Sequence, residues 1–565
     1  MKNDKIFFEK DKVKQSIKSI LVLLLIMIIV NCQPSIQAEP EIFIRFNQVG
    51  FWPDDIKTAI VLSNYKLEGK QYSIVKTGQE DKVHATFFGK NIGSFGTFNY
   101  SYQIDFSNLK TQGEYYISFA RQKSSVFKIN ANVYAGIADS LLDFFKVQRC
   151  GYTNPMLHEI CHISDAAQII DNKKTFDKKV DVTGGWHDAG DYVKILNTTA
   201  FSTYMLLFSY DFDPVKFSID KNKNSVPDIL EEAKVGLDWM LRAYYDKNKL
   251  VTQVQDLRDH DVGWRLPEKD AVGFDRPAFV GMGKNLIGIY SATMALAYRI
   301  WNTKLNYPEF ANQCLTAAQN LYANYKRVPD IDSSGTGVYV DNTFEGKMAL
   351  GAIELYLSTN KTNYLNEATI FADSAKSDYW WSWGNINSLA HYRLAKIFPK
   401  YSVYIKKNLE EFDRKKNDNL FGKGVTLSWG TNVTLLGISL QNILYKNLVN
   451  DSRFDSVSIY ARDYILGRNQ WGISFISSAG KNTSKSLHHQ VGYFRGRLPG
   501  GFAAGPATKE FVEKSKIPFE KPDKYARFQT KDSYYRDDRN DYITNEPTIT
   551  GNATAIFVFG VLSKR

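Results

Sequence analysis

The chain has 565 residues, too long for one small module and enough for two or more domains. Its 44% hydrophobic and 23% charged residues exclude a disordered, collagen-like or multi-span membrane protein. The formal charge is +11, and aromatic residues reach 14%, a content that suits either a sugar-binding groove or a large helical core.

The first eighteen residues carry six Lys and three acids, and Ile20 to Val30 is an unbroken apolar run. That run is shorter than the roughly 20 residues a membrane crossing needs. A basic stretch, a short apolar stretch and a polar break form the pattern of a secretory signal. Ile29-Val30-Asn31-Cys32 resembles a bacterial lipobox, which predicts a lipoprotein signal over 1–31 and an acylated Cys32. The competing cut after Ala38 meets the bulky Ile36. The expected location is an outer-membrane or cell-surface lipoprotein of a bacterium, tied to the membrane through a lipid anchor, or otherwise secreted or periplasmic. Without residues 1–31 the charge is about +8. There is no basic helix and no nucleic-acid motif, so no nucleic-acid partner is expected. Oligomeric state leaves no signal.

From Ile42 to about Asn130 the apolar period is near two. Seven strand candidates (IFIRFNQVG, KTAIVLS, QYSIVKT, KVHATFFGK, FNYSYQIDF, GEYYISFA and SSVFKIN) predict an immunoglobulin-like β-sandwich over 41–131. After Tyr134 the period becomes 3.6, with Ile137, Leu141 and Phe145 on one helix face. Further helical stretches follow near 197–210, 229–245, 285–302, 308–326, 346–359, 364–376, 386–398, 401–414, 432–448, 454–466 and 552–563. Twelve helices with no strands between them predict a mainly α fold. Short links make them hairpins, and six hairpins can close an (α/α)6 barrel over 133–565. No Gly/Ser linker separates the two domains, so they should abut.

Three segments carry chemistry. In Gly184–Tyr192 (GGWHDAGDY), the spacing predicts Asp188 and Asp191 on one side of a helical turn, where two acids can orient and deprotonate one water. The competing reading is a helix cap. Near the C-terminus, Tyr535-x-Asp537-x4-Tyr542-x3-Glu546 sets an acid among aromatic residues before the last apolar helix. Such surroundings disfavour the anion and raise the carboxyl pKa, as a general acid requires. Ser474–Gln490 ends in His488-His489, a pair open to ligand, substrate-contact or solvated-turn roles.

Together these segments resemble the aspartate, histidine and Asp/Glu signatures of glycoside hydrolase family 9. DHDVGWRLPE (259–268), VPDILEEA (226–233) and PGGFAAGP (499–506) also look like this family. IRFNQVGFWPDD (44–55) resembles the immunoglobulin-like domain often fused ahead of it. The resemblance implies inverting hydrolysis of a β-glycosidic bond, with Asp191 as general base, Asp188 helping to hold the water and Glu546 as general acid. It implies sugar contacts for His488 and Asp537, and leaves Tyr542 and Trp186 as groove or packing residues. One departure is Gln490, where the histidine signature normally has Arg. Gln supplies no fixed charge, so Arg495 or Arg497 stands as a substitute, or the substrate differs from plain cellulose.

Two metal sites are expected. Cys150, Cys161, His162 and His187 supply two thiolates and two imidazoles, the donors of a closed tetrahedral Zn2+ site. This set resembles the zinc site of family members with the immunoglobulin-like domain, and would brace the loop beside Asp188. His158 is an alternative ligand, and a Cys150–Cys161 disulfide is the competitor. Asp220, Asn222, Asn224, Asp228 and Glu231 have EF-hand-like spacing for Ca2+, although Ser225 and Pro227 are atypical. The competing reading there is a turn with Asp228 capping a helix.

The expected protein is an endo-type β-1,4-glucanase acting on a cellulose-like β-glucan polysaccharide or oligosaccharide. Mixed-linkage glucanase, xyloglucanase, cellobiohydrolase and exo-β-glucosaminidase activities remain open on the same scaffold. So does a non-catalytic surface glycan-binding lipoprotein.

Overall fold

The computed structural model describes residues 41–78, 81–119 and 122–563. The expected signal and Cys32 lie outside these residues. Among the described residues no helix is long and apolar enough to cross a membrane.

The N-terminal part is a two-sheet sandwich. Its strands are β1 (Ile42–Arg45), β2 (Gly50–Phe51), β3 (Thr58–Ser63), β4 (Gln71–Lys76), β5 (Lys82–Phe88), β6 (Lys90–Phe95), β7 (Phe98–Asp105), β8 (Gly113–Phe119), β9 (Gln122–Lys123) and β10 (Phe127–Ile129). All seven expected strands are present, with β2, β6 and β9 in addition. One sheet runs β1-β3-β7-β6 and the other β2-β10-β8-β4-β5, with β9 beside β8. Strand β3 (TAIVLS) is buried at every position. The run is continuous because both faces are covered. Ala59 and Val61 join the sandwich core, while Ile60 and Leu62 join the core of the helical domain.

The two domains therefore abut over an apolar face. Phe528 stacks on Phe98 with centroids 5.5 Å apart. Buried charge crosses the same face: Arg462 lies 3.1 Å from Asp55 and 2.8 Å from Asp463, whose carboxylate also accepts a 2.8 Å bond from Asn47. A buried guanidinium is tolerable only with such partners.

The helical domain contains α1 (Ile137–Gln148), α2 (Leu196–Phe212), α3 (Asp228–Ala243), α4 (Lys284–Thr303), α5 (Pro308–Tyr322), α6 (Glu345–Thr359), α7 (Thr362–Ala375), α8 (Asn387–Ala395), α9 (Ser402–Lys416), α10 (Thr431–Val449), α11 (Asp455–Ile465), α12 (Gln490–Arg495), α13 (Lys509–Lys514) and α14 (Ile549–Val561). Helices α2, α4, α6, α8, α10 and α14 pack in sequence and close a ring, since α14 returns to α2. Outside them lie α3, α5, α7, α9, α11 and α1, which pair with α2, α4, α6, α8, α10 and α14 respectively. This is the (α/α)6 barrel. The sequences explain the layers. Helix α2 is buried on every side from Leu196 through Ser209, as a helix of the inner layer is. Outer helix α9 buries only Ile405, Asn408, Leu409 and Phe412 along one stripe.

The expectation of a strand-free helical domain is corrected. Five short strands form one small sheet: β11 (Ile169–Asp171), β12 (Lys174–Phe176), β13 (Lys194–Ile195), β14 (Leu250–Val254) and β15 (Ala278–Gly281). Their order is β12-β11-β15-β14-β13. Segments of two to five residues are too short to show a period, so they read as loop.

Candidate active site

The small sheet assembles one wall of the site. Pairing of Lys194 on β13 with Val254 on β14 sets the loop before β13 beside the loop after β14. The first loop carries Asp188 and Asp191, and the second carries His260 and Trp264. Asp188 and Asp191 do not share a helical turn as expected. Gly184 and Gly185 take left-handed φ of 84° and 71°, and a Cβ on Gly185 would lie 2.6 Å from Trp239. The loop is then held by the Asp188 amide on the Val193 carbonyl (2.9 Å) and by the Ile549 amide on the Asp188 carbonyl (3.0 Å). The second bond ties it to the start of α14, which Thr548 caps through the Gly551 amide at 3.1 Å. Glu546 sits two residues before that cap.

These elements enclose a cavity of about 930 Å³ lined by Asp188, Asp191, His488, Tyr542 and Glu546, among others. Asp188 is 1% exposed and accepts a bond from the Thr198 hydroxyl. Burial raises its carboxyl to about 6, against the opposing Thr198 and Tyr339 hydroxyls. Asp191 turns Oδ2 to His260 Nε2 at 3.1 Å, while its buried Oδ1 has no protein donor among the described residues. Glu546 Oε1 accepts the Gly190 amide at 3.1 Å. Burial, followed by the charge of Asp191, raises Glu546 well above the usual carboxylate range. His488 Nδ1 lies 2.6 Å from the Arg539 carbonyl, an acceptor, so Nδ1 carries the proton and Nε2 is left for Glu546, 4.0 Å away. Burial lowers the His488 pKa and keeps its ring neutral.

Trp186, left open between groove and packing, and Asp537, an expected sugar contact, both lie outside the cavity lining. Trp186 is 1% exposed in the core, where its Nε1 donates to Glu232 (2.8 Å) and its ring meets Phe145 edge-on. Its role is packing. Asp537 does not line the cavity. It accepts the Lys485 and Ser486 amides at 2.9 and 2.8 Å and pairs with Lys524 at 2.7 Å, shaping the loop that leads to His488. Tyr542 does line the cavity, beside Trp429 and His488. His489 faces inward to Gln148 at 2.6 Å.

The substitute arginines also fall outside. Arg495 binds the Leu157 carbonyl and Glu268, and Arg497 faces a different pocket. Gln490 lines the main cavity, and its Oε1 accepts the Arg265 amide at 2.9 Å, so it anchors the His260 loop instead of presenting charge. Sequence reasoning missed His260, Tyr339, Trp264, Trp380, Trp383 and Trp429 as cavity residues. DHDVGWRLPE carries His260 and Trp264 but reads in the sequence only as a family likeness. Trp380-Trp381-x-Trp383 was an available signal, although only the third dimension shows that Trp381 points into the core.

Cys150, Cys161, His162 and His187 bring one donor atom each to within 4.8 Å of one another, a set that could hold a metal ion. Both cysteines are free thiols, not a disulfide. His158 is excluded from the set, because its ring nitrogens face the Glu159 and Val147 carbonyls at 2.8 and 2.9 Å. Asp270 holds the remote nitrogen of His162 at 2.9 Å, the orienting contact that metal-ligating imidazoles usually have. The Asp220–Glu231 loop closes on itself: Asn222 and Asn224 amides donate to Glu231, Asp220 accepts the Ser225 amide, and Asp228 accepts the Lys221 amide.

Comparison with known proteins agrees with this architecture. The family model "Glycosyl hydrolase family 9" matches residues 134–559, and "Cellulase N-terminal ig-like domain" matches 39–124. Endoglucanase D of Acetivibrio thermocellus is 25% identical, covering 89% of this chain and 83% of that protein. Xyloglucan-specific endo-beta-1,4-glucanase BoGH9A of Bacteroides ovatus is 24% identical, covering 93% and 94% respectively. A metagenome-derived glycoside hydrolase family 9 endoglucanase of known structure superposes with a TM-score of 0.78 at 23% identity, covering 93% of this chain and 99% of that one. With the family model spanning most of its length, the chain belongs to glycosyl hydrolase family 9 and is a glycoside hydrolase.

Proposed function

We propose that this glycoside hydrolase cleaves β-1,4 bonds within a glucan chain, with inversion at the anomeric carbon. The observation that carries the reading is the different surroundings of two carboxyls on one cavity. Burial raises Glu546 well above the usual carboxylate range, which favours its protonated form, while Asp191 offers an oxygen free of protein donors. Glu546 gives its proton to the glycosidic oxygen as the bond to the anomeric carbon breaks. Asp191 Oδ1 takes a proton from the water that attacks that carbon from the other face, and Asp188 shares in orienting the water. Neutral His488 and the ring of Tyr542 contact the sugar. The aromatic cavity walls suit a polymer that stacks its sugar faces.

Glu546→Gln should lower kcat by at least about 1,000-fold with the melting temperature retained. Parental turnover of β-glucan by that variant would refute the assignment. NMR of the first product should show the α-anomer, and β-product would exclude inversion. A polysaccharide panel separates plain, mixed-linkage and xyloglucan substrates, and product lengths separate endo from exo action.

The four-donor cluster fits structural Zn2+, which would hold Cys150, Cys161, His162 and His187 together and brace the Asp188 loop without entering the chemistry. The Asp220–Glu231 loop is read as a Ca2+ loop in which the Asn222 and Asn224 amides turn their oxygens inward. Export and anchoring through acylated Cys32 complete the proposal. Cys32→Ser should release the protein from membranes, and unchanged membrane association would refute the anchor.

A further inference from the structure

A second concave pocket, of about 200 Å³, lies beside the active cavity. One layer of side chains separates the two. Trp264 lines the active cavity, while Tyr493 and Arg539 line the second pocket. The rings of Trp264 and Tyr493 meet at 5.4 Å, and the Arg539 guanidinium lies 4.0 Å over Tyr493 and 5.2 Å from Trp264. The volume is on the scale of a single sugar ring. Its surroundings combine buried Leu487 and Leu498, the half-exposed Tyr493 ring and several serine hydroxyls, a mixture that suits a saccharide's apolar face and polar edge.

The charge is one-sided. Four cations (Lys485, Arg497, Lys521 and Arg539) line the pocket with two acids, Glu520 and Asp538. Both acids are already engaged. Glu520 takes the Arg539 guanidinium at 2.6 Å. Asp538 accepts the Glu520, Lys521 and Asn540 amides at 3.0, 3.2 and 3.0 Å. Among the described residues Lys485, Arg497 and Lys521 have no acidic partner. Four cations against two carboxylates leave an excess of two positive charges around a sugar-sized concavity, which favours an anionic group on the ligand.

We propose that this pocket binds a carboxylated sugar unit, a uronate carried as a substituent on the glucan or on an oligosaccharide beside the cleaved chain. The carboxylate meets Lys485, Arg497 and Lys521, and the ring lies against Tyr493 and the two leucines. The proposal rests on the β-glucan reading for the neighbouring cavity but is testable without turnover.

The test uses the full chain as Glu546→Gln, titrated by calorimetry with D-glucuronate, D-glucose and inorganic phosphate. Glucuronate should bind at least ten-fold more tightly than glucose or phosphate and weaken with added salt. Combining Lys485→Gln with Arg497→Gln should weaken glucuronate binding at least ten-fold. Both side chains are exposed and unpartnered, so the melting temperature should hold. Glucuronate binding no tighter than glucose, or unchanged in the double variant, would overturn the proposal. Phosphate binding as tightly as glucuronate would also overturn it, by assigning the pocket to free anions. Parental protein that binds glucuronate here yet fails to hydrolyse any β-glucan would overturn the proposed activity and leave the pocket standing.

Discussion

Gly190 is where the two walls of the site touch. A Cβ there would stand 2.2 Å from the His488 carbonyl oxygen and 3.2 Å from Glu546 Oε1. In Gly190→Ala the loops must part by roughly 1 Å to restore an ordinary contact. Because the obstacle is backbone, no rotamer change relieves it. A 1 Å error in placing Asp191 against Glu546 is expected to cost about 100-fold in kcat. Overpacking should cost about 1–3 kcal/mol of stability, which the fold survives. A second readout separates misplacement from general damage. The Gly190 amide favours the ionised form of Glu546, against burial. Lengthening that bond raises the Glu546 pKa further. A general acid works only while protonated, so activity is lost as pH rises through its pKa, and the alkaline limb of kcat/KM should move up. The assay is kcat and KM on a soluble oligosaccharide across pH, with urea unfolding as control. A folded variant with kcat within three-fold of the parent, or an alkaline limb that moves down, would refute the reasoning.

His260 is pushed up to about 9, chiefly by its bond to Asp191 and against burial. NMR should show its ring titrating there in the parent and falling toward 6.5 in Asp191→Asn; no shift would mean the pair does not form. Because the folded value is raised, the pair's contribution to stability is full below about 6.5 and is lost as pH climbs through 9. Removing Zn2+ with a chelator should lower Tm by roughly 5–10 °C, with Zn2+ restoring it and Cys161→Ser reproducing the loss. A chelator-insensitive Tm would refute metal binding at the four donors, and the same scan with Ca2+ tests the Asp220–Glu231 loop.

The sequence by itself determined the two-domain plan and the chemistry-bearing residues. The change of apolar period near Tyr134 is local information, and so is the order of acids and aromatics in GGWHDAGDY and around Glu546. It also placed Cys150, Cys161, His162 and His187 in one set, although not whether the thiols pair or His158 joins. Only the tertiary structure decided which aromatic faces the cavity. Trp186 and Trp381 are core residues, while Trp264, Trp380, Trp383 and Trp429 line the walls. Composition cannot separate these groups, because side-chain direction in loops follows no period. The same holds for His260, 69 residues from Asp191 in sequence and brought to it by the β13–β14 pairing. Gln490 gained its role from Arg265, 225 residues away. The positive charge, uninformative as a total, acquires meaning only where Lys485, Arg497, Lys521 and Arg539 outnumber Glu520 and Asp538 around one pocket. Contacts between distant segments depend on how the barrel closes, and that closure is a property of all twelve packed helices together.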